Sequence, residues 1–220
     1  MSASNADRRA IIGAGALIAG AGVLTSSACA QDTSGKGWTP TADEHDAWLD
    51  KPNTRHRMAF DTTSFEAAST GAHYANNFYL ANKSGYGLEP EALGVVLILR
   101  AEATPFAYND SIWAKYGETF INFMKLEGDV AKRSKKSNPL YSGAAVTLAM
   151  LQEKGARFAV CGMATHGISG MLARGAGKLH EEVEADIKAN LIPGAVMVPA
   201  GIVAVNRAQE HGYAFAYVQG

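Results

Sequence analysis

The chain has 220 residues, 47% hydrophobic and 19% charged, with a formal net charge of −1. That is enough apolar material for one globular domain with a real core. The balanced charge offers no footprint for nucleic acid or an anionic membrane surface, and two cysteines cannot build a disulfide framework.

The first segment reads as an address rather than as fold. Asp7-Arg8-Arg9 precedes an uninterrupted apolar, Gly/Ala-rich run, Ala10–Leu24, and Ala28-Cys29-Ala30 follows as a small-residue cleavage site. A paired arginine, a weakly hydrophobic core and small residues at the cut describe a twin-arginine export signal over residues 1–30. The run is about fifteen residues, short of the roughly 20 a membrane span needs, so no span is expected after cleavage. An uncut signal anchor and lipidation at Cys29 are the alternatives. Gly13, Gly15 and Gly20 imitate a dinucleotide fingerprint, but no strand precedes them. After cleavage Cys161 is the remaining cysteine, a single thiol in an exported, periplasmic chain.

Residues 31–54 form a polar arm broken by Gly35, Gly37, Pro40 and Pro52, with one helical turn over Ala42–Leu49. Trp38 and Trp48 are its anchors. The domain proper is expected over residues 55–220. Arg57–Thr62 is its first strand, and Asp61-Thr62-Thr63-Ser64 a turn with N-cap residues. A helix follows over Phe65–Ala81, its narrow face of Ala68, Gly71, Ala72, Ala75 and Phe78 suited to lying close on a sheet. Leu93–Leu99 (LGVVLIL) is a continuous apolar run, as a central parallel strand covered on both sides requires. Arg100 and Glu102 leave it, either as a pair closing the loop or as site residues at a strand exit. Phe106–Met124 is the next helix, with Phe106, Ile112, Trp113, Tyr116, Phe120 and Phe123 on one face and Gly117 as a kink. Gly128–Pro139, with Lys132, Arg133, Lys135 and Lys136, reads as a flexible, solvated basic loop.

Ser142–Lys154 is expected as a helix stopped by Gly155. The strand over Arg157–Val160 then delivers Cys161 to its carboxyl end, where ligands and chemistry sit in parallel sheets. The thiol there is either a packed small hydrophobe or a nucleophile. After His166 and Gly167, Ile168–Gly177 reads as a mobile glycine-rich loop that does not match a phosphate loop. A helix over Leu179–Leu191, a strand over Ala195–Val198, a helix over Ile202–Glu210 and a last strand over Tyr213–Val218 complete the chain. Alternating strands and helices predict an α/β, three-layer sandwich with a five-stranded, mainly parallel sheet.

For chemistry, Cys161 is the candidate nucleophile, His166 its candidate base and Arg100 the source of positive charge. Whether the chain is an enzyme stays open at this point. No cofactor and no metal site is expected: His73, His166, Asp61 and Glu102 could meet at the carboxyl edge, but without the local spacing of a metal motif. No G-x-S-x-G elbow exists for a serine hydrolase.

Three stretches resemble the DsrE/DsrF-like family. Lys154–Gly170, with Val160-Cys161-Gly162-Met163, is similar to its strand-then-Cys segment. Leu191–Tyr217, with Val198-Pro199-Ala200-Gly201, Arg207 and Gly212-Tyr213-Ala214, is similar to its C-terminal signature. Leu99–Tyr116, with Thr104-Pro105-Phe106-Ala107 and Asn109-Asp110, resembles exported members. The resemblance implies a DsrE-like α/β fold assembled as a homo-oligomer, trimer or hexamer. It also implies that Cys161 matches the position where sulfur-relay members carry a persulfide. Two functions follow: an exported sulfur-handling protein using Cys161, or a non-catalytic binding or assembly subunit of a periplasmic complex, its arm docked on a protein partner.

Overall fold

The computed structural model describes residues 39–220, and Pro40–Gly220 form one compact unit. The expected export signal, Cys29 and Trp38 lie outside the described residues. Five strands build one sheet: β1 (His56–Thr62), β2 (Leu93–Leu99), β3 (Arg157–Cys161), β4 (Ala195–Val198) and β5 (Ala214–Tyr217). Their order is β4-β3-β2-β1-β5, and every pairing is parallel. The α/β sandwich is therefore realised with a wholly parallel sheet.

Side-chain alternation along the strands divides the core in two. Phe60, Leu97, Leu99, Phe158 and Val160 point to one face, where they pack with residues from α1 (Phe65–Tyr86), α2 (Asp110–Met124), α4 (Leu148–Glu153), α5 (Gly162–Ala176) and α6 (His180–Ala189). Ala59, Val96, Ile98, Ala159 and Val198 point to the other, which is covered by Ala204, Val205 and Ala208 of α7 (Gly201–Glu210) and by Leu49. β2 is buried at every position because it lies in the middle of the sheet with both faces covered. No helix among the described residues is long and apolar enough to cross a membrane.

The described part of the N-terminal arm is held on the α7 face. A 3₁₀ turn, Glu44–Leu49, ends in fully buried Leu49, whose carbonyl accepts from the Tyr213 hydroxyl at 2.9 Å. Arg207 clamps the arm by donating to Asp46 and to the carbonyl of Thr41.

Several local expectations need correction. The helix expected over Phe106–Met124 is split: 101–107 is a 3₁₀ helix, and Asn109 then caps α2 by accepting from the Ser111 N–H. Phe123 is left exposed. The helix expected over Ser142–Lys154 is only Leu148–Glu153, because Gly143 takes φ +85° and Thr147 caps the Met150 N–H. The basic loop opens with a short helix, α3 (Gly128–Ser134), in which Lys132 pairs with Asp129.

The largest correction is Ile168–Gly177, which is not a loop but most of α5. Each helical glycine costs about 1 kcal/mol against alanine. Burial of Thr165, Ile168, Ser169, Leu172 and Ala173 offsets it, and Gly177 at φ +63° ends the helix in a left-handed cap.

Gly117 does not kink α2. A Cβ at this position would lie 2.1 Å from the Ser134 carbonyl oxygen, so the glycine lets α2 and the end of α3 touch backbone to backbone. Gly117→Ala gains about 1 kcal/mol of helix propensity and loses more to the overlap, since backbone cannot rotate away. A net loss of about 2 kcal/mol, read as a fall in Tm of roughly 4–8 °C, is the expected result.

Candidate functional site

The carboxyl edge of the sheet carries a row of three side chains from adjacent strand exits. Asp61 lies near the end of β1, Arg100 follows β2 directly, and Cys161 is the last residue of β3. The register pairs Asp61 with Ile98 and Leu99 with Val160, which brings Arg100 level with Cys161 one position further on.

Arg100 grips Asp61 with both arms of its fork: Nε donates to Oδ1 at 2.7 Å and a terminal nitrogen to Oδ2 at 2.8 Å. Asp61 is 2% exposed and Arg100 27%. The pair with Asp61, more than any other influence, raises the pKa of the guanidinium, and the nearby Tyr217 and Cys161 contribute to the same end. The loop pairing considered for Arg100 and Glu102 is thus replaced by a pairing across strands. The Arg100 stem lies against the first turn of α7, where a Cβ on Gly201 would sit 2.5 Å from the Arg100 Cβ.

Cys161 is the N-cap of α5, and its Sγ accepts from the Ala164 N–H at 3.4 Å. The helix N-terminus expected further along the chain is therefore at the cysteine itself. Gly162 lets this turn pass β4, because a Cβ there would meet the Val198 carbonyl oxygen at 2.7 Å. Cys161 is buried, with 7% of the residue exposed. Negative charge on its sulfur would meet the positive end of α5 and an N–H already pointing at it.

His166 is not joined to Cys161 by a hydrogen bond among the described residues. It sits on the second turn of α5, 66% exposed, with Nδ1 2.8 Å from Oε2 of Glu184 on α6. Of the three residues read from the sequence, Arg100 and Cys161 share the sheet edge, and His166 belongs to a neighbouring group with His180 and Glu184. Lys188 and then His166, as hydrogen-bond partners, hold the Glu184 carboxyl below the usual carboxylate range.

The four residues considered as a metal set do not meet. Asp61 is paired with Arg100, and exposed His73 on α1 faces the carbonyl of Ser69. The set that does meet was visible only in part: His180 and Glu184 stand four apart on a helix, the spacing that puts two side chains on one face.

Beside the sheet edge lies a cleft of about 1080 Å³. Its walls include Trp48 from the arm, Gly162 and Met163 from α5, Val198 and Pro199 after β4, and Arg207 from α7. His166, Glu184 and Lys188 also line it, whereas Cys161 does not.

No family model matches the sequence, and no curated protein matches it. Among solved structures, the protein of unknown function MTH1491 from Methanobacterium thermoautotrophicum is similar to this chain at 15% identity. The match covers 74% of this chain and 98% of that one, with a TM-score of 0.39.

Proposed function

We propose that this is an exported, DsrE-like sulfur-handling protein that carries a persulfide on Cys161, delivered folded to the periplasm by its twin-arginine signal. The observation that carries the reading is the placement of Cys161: it ends a parallel strand, caps α5 and stands level with Arg100. The twin-arginine signal and the family resemblance of the cysteine and C-terminal stretches support it. In the transfer, the Cys161 thiolate attacks the sulfane sulfur of thiosulfate. The S–S bond of the donor breaks, sulfite leaves with its electron pair, and Cys161–S–S⁻ remains. No external oxidant is consumed. Ala164 N–H and the α5 terminus are placed to receive the anionic sulfur. Cys161 is buried and does not line the cleft, so the reading requires a donor small enough to reach the thiol. The homo-oligomer, trimer or hexamer, belongs to the same proposal.

The test is intact mass after incubation with thiosulfate or polysulfide. One added sulfur per chain, about +32 Da, removed by reductant and absent in Cys161→Ser, is the expected result. A native protein that gains no mass, with a thiol reactive only after unfolding, would overturn it.

The cleft favours a second reading, a binding subunit that uses the arm and the cleft instead of the thiol. That reading predicts that Cys161→Ser is silent, whereas removing the Arg207 clamp on Thr41 and Asp46 abolishes partner binding.

A further inference from the structure

The geometry points to a solvent-accessible site for a divalent transition-metal ion of the zinc class, formed by His166 of α5 with His180 and Glu184 of α6. It lies outside the Asp61–Arg100–Cys161 row and does not depend on sulfur chemistry.

The donor atoms of the three side chains all lie within 4.8 Å of one another. Oε2 of Glu184 is 2.8 Å from Nδ1 of His166 and 3.5 Å from Nε2 of His180. An ion with bonds of about 2.0–2.1 Å holds tetrahedral donors about 3.3–3.4 Å apart. The 3.5 Å separation already fits, and the 2.8 Å one opens by roughly half an ångström when a shared proton gives way to a larger ion.

Nε2 of His180 faces an unusual concentration of acceptor oxygens. Besides Glu184, it lies 3.0 Å from the carbonyl oxygen of His166 and 2.9 Å from the Ser169 hydroxyl. That hydroxyl is itself satisfied by donating to the His166 carbonyl. A proton on Nε2 meets this field in the metal-free state, and a cation bound at Nε2 would meet the same field.

The two helices that carry the ligand set are packed together. α5 and α6 are in contact, Val183 and Ile187 of α6 are buried, and a Cβ on Gly170 would touch the His180 ring at 3.4 Å. The two imidazole rings lie 4.4 Å apart at 45°. Lys188 Nζ holds the other Glu184 oxygen at 2.6 Å, which orients the carboxylate and also moderates its charge. Two imidazoles and one carboxylate select zinc-like ions over calcium or magnesium. With three protein donors, and with His166 and Glu184 lining the cleft, an ion here keeps a coordination position for water or a small ligand.

The test uses the full chain freed of metal with a chelator and titrated with Zn²⁺ by calorimetry, and with Co²⁺ by visible absorption. The expected result is one ion per chain, weakened at least about 10-fold by each of His166→Ala, His180→Ala and Glu184→Gln. His73→Ala serves as a surface-histidine control and leaves affinity unchanged. The Co²⁺ spectrum shows d–d bands without a thiolate charge-transfer band and persists in Cys161→Ser. Circular dichroism confirms that each variant is folded, and Glu184→Gln keeps the shape of the surface if an alanine variant does not. Absence of stoichiometric binding would overturn the assignment. So would affinity that survives both His180→Ala and Glu184→Gln, or a cobalt–thiolate band.

Discussion

Replacing Arg100 with alanine will cost the fold about 3–5 kcal/mol. The reason is the partner it leaves behind. Asp61 is 2% exposed, and both of its oxygens are engaged by the Arg100 fork. Without Arg100 the carboxylate, 2% exposed, is left with no counter-charge and without the two hydrogen bonds that engaged its oxygens. The converse substitution, Asp61→Asn, is milder, because Arg100 is partly exposed and can turn toward solvent. About 1–3 kcal/mol is expected there, close to the value of a charge-assisted hydrogen bond. Arg100→Lys keeps the charge but loses the second arm of the fork, and should fall between wild type and the alanine variant. Guanidinium denaturation at pH 7 orders the three. The double variant Asp61→Asn with Arg100→Met should be more stable than Arg100→Ala alone, since it removes both charges. If Arg100→Ala loses less than 1 kcal/mol, the pair is not the anchor of the sheet edge. The same series bears on function. Asp61 fixes the guanidinium level with Cys161, so under the persulfide proposal Asp61→Asn should slow sulfur uptake from thiosulfate in a protein that is still folded.

How legible this edge was in the sequence depends on how local each signal is. Leu93–Leu99 is a strand over the residues its apolar run marks, because a central parallel strand writes its burial in every residue, and the shorter apolar runs at Arg157–Cys161 and at the edge strand Ala195–Val198 mark theirs nearly as well. Cys161 and Arg100 were legible as strand-exit residues for the same reason. Their neighbours were not. The Asp61 partner of Arg100 sits on another strand, and pairing across a sheet leaves no trace in local spacing. α5 was read as a loop because glycine propensity argues against helix, whereas packing of Ile168, Leu172 and Ala173 decided for it. A loop over Ile168–Gly177 also leaves His166 on no helix, so local sequence gives no sign that it stands opposite His180 and Glu184. Export, assembly and sulfur chemistry rest on the sequence and its resemblance.

The second large effect is expected at Asn138, in a stretch whose four basic residues drew attention away from it. Asn138 is fully buried and satisfies four backbone groups with one amide. Its Nδ2 donates to the carbonyls of Phe106 and Tyr108 at 2.7 and 2.8 Å. Its Oδ1 accepts from the N–H groups of Leu140 and Tyr141 at 3.0 and 3.1 Å. Its own N–H is held by Asp110 at 2.8 Å. The side chain thereby ties the irregular segment between α3 and α4 to the end of the 3₁₀ helix that precedes α2. Asn138→Ala orphans these buried groups together, and each unsatisfied group costs about 1–3 kcal/mol, so a total near 3–5 kcal/mol is expected once partial relaxation is allowed. Asn138→Asp discriminates between the two ends of the amide. It retains an acceptor for Leu140 and Tyr141 but turns an oxygen toward two carbonyl oxygens in a fully buried site. Its loss should equal or exceed that of alanine at pH 7. Urea unfolding with an unchanged m-value checks both variants. A tolerated Asn138→Asp would mean that only the acceptor end matters, and that the Phe106 and Tyr108 carbonyls find partners elsewhere.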